Sequence, residues 1–217
     1  MMRNALRFFA VLFPIALLCC GCSGLVFNLA TVALSLAASG ASAIAVAVLD
    51  KREQVRSGAK RPCFVGTARG GFGNPFNVNI KRYAPLAHVT ADVVAKGLAT
   101  KGFKASAVKL DHTADDAAAL AAARATGAAK ILFVDIHKWQ TDTYMQVGMH
   151  YLLIARVTDT AGNLLAQSRV TGADDGKDNL KGSAMNPGGY AQKVVPKAFR
   201  DQLERLLNDP AIVQALS

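Results

Sequence analysis

The stretch TADDAAALAAARATGAAKILFV, residues 113–134, decides the fold class. Thr113-Ala114-Asp115-Asp116 has the capping-box pattern that opens a helix, an Ala-rich run follows, and Gly127 closes it with Arg124 near its end. Acid at the start and base at the end both suit the helix dipole. Ile131-Leu132-Phe133-Val134 follows, apolar at every position, as a central strand buried on both faces should be. A helix feeding a buried strand is the repeating unit of α/β architectures.

Working outward, Thr90 is placed to cap a helix running to about Lys101, with Asp92 in its first turn and Gly102 beyond its end. Strands are predicted over 103–110 and, earlier, over 62–68. Arg69-Gly70-Gly71-Phe72-Gly73-Asn74-Pro75 reads as a loop. It lacks the Gly-Lys-Ser/Thr ending of a Walker loop, and its glycines miss the G-x-G-x-x-G spacing, which argues against phosphate binding. Downstream, Met145, Val147, Met149, Tyr151, Leu153, Ala155 and Val157 alternate along one face of a long half-buried strand. Thr160-Ala161-Gly162-Asn163 turns the chain into a partner strand over 164–171. A polar loop over 172–189 leads to a helix with Pro196 in its first turn and an apolar stripe of Phe199, Leu203, Leu206 and Leu207. Asp209-Pro210 precedes a short terminal helix. The expected domain, 62–217, is α/β: a mixed sheet in β-α-β-α-β-β-β-α order, covered by helices and preceded by an apolar leader and a second apolar helix.

The leader occupies 1–21. Arg3 and Arg7 precede an apolar run from Phe8 to Leu18, which ends at Cys19-Cys20-Gly21-Cys22-Ser23. This is the layout of a secretory signal. A cysteine after glycine there resembles the lipobox of bacterial lipoproteins, which implies acylation of that cysteine at the mature N-terminus. Cys22 has Gly21 before it but Cys19 where Leu is usual; Cys20 has Leu17 in place but Cys19 before it. Cys22 is favoured as the lipid attachment. Ser23 after it, rather than Asp, favours outer-membrane sorting by analogy with known lipoproteins.

Residues 25–49 carry no charge and are long enough to cross a bilayer. Ala33, Ala37, Ala41 and Ala45 recur every fourth residue, a small-residue face suited to close helix contact. The span 22–50 is therefore read as an apolar anchor or membrane-proximal helix after the lipid. One alternative is a membrane hairpin over about 8–49 that leaves the domain in the cytoplasm at the inner membrane. Another is cleavage at Ala41-Ser42-Ala43. The basic linker 51–61 (Lys51, Arg52, Arg56, Lys60, Arg61) suits either anionic lipid head groups or solvent.

The chain has a formal charge of +10, yet it carries no nucleic-acid reader motif with stacking aromatics, so no nucleic acid is expected. With Cys19 and Cys20 removed and Cys22 acylated, Cys63 is left alone, in an apolar run that favours burial. His88, His112, His137 and His150 match no metal-ligand spacing, and no G-x-S-x-G occurs. Asp174, Asp175 and Asp178 miss the calcium-loop register and read as a solvated turn. No enzyme, cofactor or metal is expected. Trp139 and Tyr144, in an expected connection between strands, are the candidate partner contacts, with packing over the sheet edge as the alternative.

The run Lys101-Gly102-Phe103 into a strand, Thr126-Gly127-Ala128-Ala129-Lys130 into Ile131-Leu132-Phe133-Val134, and the turn Asp159-Thr160-Ala161-Gly162-Asn163 resemble a known group. It is the small α/β domain of the TolB N-terminal and CsgG-type lipoproteins, over roughly 60–207. The resemblance implies a non-catalytic, periplasm-facing envelope lipoprotein. Such a protein would work through a protein partner or self-association, held to the membrane by its lipid and apolar segment.

Overall fold

Residues 43–50, AIAVAVLD, form the strand around which the rest assembles. A computed structural model describes residues 25–70, 72–174 and 186–217. In it Ala43–Asp50 (β2) lies between two parallel neighbours, Lys104–Val108 (β5) and Lys130–Thr143 (β6). Ile44, Val46 and Val48 feed one core, and Ala45, Ala47 and Leu49 feed the core on the opposite face. This corrects the expectation of a second apolar helix over 25–49. A strand buried on both faces and a membrane helix both read as unbroken apolar runs, and periodicity does not separate them. The four-residue recurrence of alanines has no helix to lie on. Between the short strand Val26–Phe27 (β1) and β2, the chain is irregular, burying Leu34, Leu36 and Ala38 at alternate positions. No helix among the described residues is long and apolar enough to cross a membrane.

The sheet forks. Along one edge of β6 runs Val147–Asp159 (β7), antiparallel over its length, followed by Leu164–Asp174 (β8). The other edge is shared. β2 pairs with its first half, from Ile44 opposite Lys130 to Asp50 opposite Ile136. Phe64–Arg69 (β3) takes over at the far end, where Gly66 to Ala68 lie opposite Thr141 to Thr143. β3 pairs antiparallel with Pro75–Ile80 (β4), which pairs in parallel with β1. Gly66 is required at this junction: its φ is +154°, and a Cβ would come within 2.3 Å of the Thr141 carbonyl oxygen.

Helices Leu86–Ala99 (α2), Pro187–Leu207 (α4) and Pro210–Leu216 (α5) contribute to the larger core, and Asp116–Arg124 (α3) covers the smaller one. A single turn, Glu53–Arg56 (α1), leads from β2 toward β3. Several expected boundaries shift. α2 begins at Leu86; Thr90 lies inside it, buried, with its hydroxyl donating to the Leu86 carbonyl at 2.8 Å. Asp115, not Thr113, caps α3 by accepting from the Ala118 amide. α4 starts at Pro187, which leaves Pro196 in its interior. The mixed sheet with an antiparallel hairpin stands, enlarged by β1, β2 and β4. Cys20, Cys22 and most of the acidic loop, including Asp175 and Asp178, lie outside the described residues.

Candidate functional site

The basic segment after β2 is part of the fold. Arg52 is 1% exposed. It pairs with Asp50 through two hydrogen bonds, of 2.8 and 2.7 Å. It also donates to the carbonyls of Phe64 (2.5 Å) and Pro62 (3.1 Å). Both carbonyls lie at the fork, where β6 changes strand partner; the Pro62 carbonyl also accepts from the Leu86 amide at 3.1 Å, and the guanidinium supplies a further donor. A guanidinium offers five donors in a rigid plane and serves several acceptors at once. Arg56 donates to the carbonyls of Ala114 and Thr113, and Lys60 to the Asn77 side chain. Lys51, Arg52, Arg56 and Lys60 thus make contacts within the domain, so the segment expected as a basic linker over 51–61 is part of the fold, with Arg56 and Arg61 still exposed.

Lys51 and Arg156 both pair with Asp116 and Asp135, in a network bridging β2, β6, β7 and α3. Burial pushes the Asp116 carboxyl up, but hydrogen bonds from Lys51 and Arg156 outweigh it and hold the group below its ordinary value. Two cations and two carboxylates compensate one another, and the guanidinium of Arg156 lies over the Phe133 ring. The cluster ties α3 to the sheet and presents no isolated nucleophile.

The remaining chemistry-bearing residues are dispersed. His88 Nε2 lies 2.7 Å from the Leu110 carbonyl and His112 Nδ1 3.3 Å from Asp111, beside a cavity of about 90 Å³ that also reaches Asp50. His137 is exposed at the irregularity of β6, and His150 is on β7. Among the described residues no three metal-ligating side chains come together. Cys63 is buried with a free thiol, and burial pushes its pKa up, so it is a poor nucleophile.

The structure separates the two candidate contact residues. β6 continues through Trp139, where a connection was expected. The indole is 1% exposed, meets Phe199 edge to face at 5.5 Å, and donates to Gln202 at 2.8 Å. Trp139 is a core residue and not a surface contact. Tyr144 is 41% exposed, at the turn between β6 and β7. The turn between β3 and β4 is its neighbour, because Ala68 lies opposite Thr143, and the Arg69–Asp142 ion pair joins the two. There Phe72 is fully exposed and Phe76 and Met145 are partly so. One end of the sheet therefore carries an aromatic cluster on adjacent turns, the kind of patch that marks an interaction surface. The sequence held a signal for it, Phe72 among the glycines and Phe76 just after them, but nothing local placed that turn beside Tyr144.

No protein-family model matches the chain, and no curated protein matches it. Solved structures of similar shape include a Xanthomonas campestris protein of family DUF330, 13% identical, covering 78% of this chain and 88% of that one, with a TM-score of 0.42. The PelC dodecamer of Paraburkholderia phytofirmans is 11% identical over 81% and 91% of the two chains, with a TM-score of 0.40. Lipoprotein GNA1162 of Neisseria meningitidis is 14% identical over 73% and 98%, with a TM-score of 0.30. Likenesses this distant assign no family.

Proposed function

We propose that this is a lipid-anchored protein of the bacterial cell envelope, acylated on Cys22, sorted to the outer membrane, and acting without catalysis through contacts of its α/β domain. One observation carries the reading: the end of the stretch that reads as a second membrane segment, residues 43–50, forms the central strand of the sheet. A hairpin anchor over 8–49 needs that segment in lipid, and β2 is used up in the core. The apolar run ending at Leu18 is then the segment left to engage a membrane, and it leads into Cys22 just before the folded domain. The paired charges and dispersed histidines support a non-catalytic role.

Metabolic labelling with a clickable palmitate analogue tests this. Wild type and Cys20→Ala are expected to carry label, and Cys22→Ala to lose it. Label absent from the wild type would rule out the lipoprotein reading.

A further inference from the structure

We infer that the end of the sheet carrying Phe72, Phe76 and Tyr144 is seated in the membrane surface, with the aromatic rings among the lipid head groups; this rests on the acylation of Cys22 proposed above. Strand direction leads to it. β1 runs parallel to β4, with Val26 opposite Asn79 and Phe27 opposite Ile80, and the Asn79 amide donates to the Leu25 carbonyl at 3.4 Å. Leu25, the first described residue, therefore lies on the side of Val26 nearer the start of β4, where Pro75 and Phe76 follow the turn that bears Phe72. Leu25 also approaches the first turn of α4 at Gly188. From Leu25 to Cys22 is three residues, a reach of at most about 11 Å even when fully extended. An acyl chain on Cys22 then holds this end, and not the opposite one, against the bilayer.

The surface suits that place. Phe72 is fully exposed, with Phe76 and Tyr144 each about two-fifths exposed. Aromatic residues favour the head-group region, and an apolar edge there settles about 5–10 Å into the boundary. Leu164 and Leu165, also exposed, follow the β7–β8 turn at the far end of the sheet, 13 residues of strand away along β7, and a single exposed ring, Tyr83, follows the other end of β4. The lipid supplies attachment, and the aromatic end fixes which way the domain stands.

The test uses the full-length chain, produced in a host that acylates it and reconstituted in phosphatidylethanolamine–phosphatidylglycerol vesicles carrying a head-group nitroxide lipid. Phe72→Cys and Leu164→Cys alter exposed positions, Cys63 is buried, and each variant takes an environment-sensitive fluorophore. Severalfold stronger quenching at position 72 than at 164 is the expected result. Equal, weak quenching on protein that carries palmitate at Cys22 overturns the seating while leaving the anchor intact, and frees this end for a protein partner. Absence of palmitate, with protein not retained on vesicles, overturns the anchor and the seating together.

Discussion

Asp50 and Arg52 stand where β6 exchanges one neighbour for another. Two residues apart at the end of a strand, they look unremarkable in sequence, because the carbonyls that Arg52 serves belong to Pro62 and Phe64 across the fork. Removing one partner of a buried ion pair strands the other charge. Asp50→Ala is expected to lower stability by about 3–5 kcal/mol, read from the urea midpoint at pH 7. Arg52→Lys keeps the charge but loses the planar array of donors, and should lower stability by about 2 kcal/mol through lost hydrogen bonds to the Phe64 and Pro62 carbonyls. An unchanged midpoint in Arg52→Lys would mean that those carbonyls do not depend on the guanidinium. Trp139 teaches the same lesson. Its neighbours in sequence suggest a loop, and only the register of β6 against β7, with Trp139 opposite Tyr151, places it in the core.

At the scale of elements, what could be read depended on whether an element has two unlike faces. β7 alternates, α3 has acid and base at its ends, and the Phe199–Leu207 stripe marks its helix; each was legible. β2 has apolar neighbours on both faces, so it carries no alternation and passes for a membrane segment. A charge scan separates the two readings. Val46 is fully buried in β2, whereas Ala33 is exposed in the irregular segment before it. Val46→Lys is expected to leave no folded protein by far-UV circular dichroism, and Ala33→Lys to change stability by less than about 0.5 kcal/mol. A lipid-buried helix would resist lysine at both positions.

Taken whole, the molecule is one sheet with helices on both faces, and β2 contributes to both cores. The α/β class followed from the helix–strand junction at 124–131. The fork, and the aromatic end it creates, did not, since both arise from pairings between distant segments. Because β2 joins the two cores and Trp139 ties β6 to α4, unfolding should be a single event. Fluorescence from Trp139, the one tryptophan in the chain, and far-UV circular dichroism are expected to give coincident urea transitions. Two separated midpoints would show the smaller core, under α3, giving way independently.

The position of β2 also sets the order in which the chain can fold. It is synthesised early, yet its partners open only at Lys104 and Lys130. Until those residues emerge, AIAVAVL is a sticky segment with both faces bare and both edges unpaired, the features that make a nascent chain aggregate. Pairings so remote in sequence form slowly. A chain built this way presents an adhesive strand while its match is still to come, and its survival depends on being kept apart from its neighbours until the match arrives.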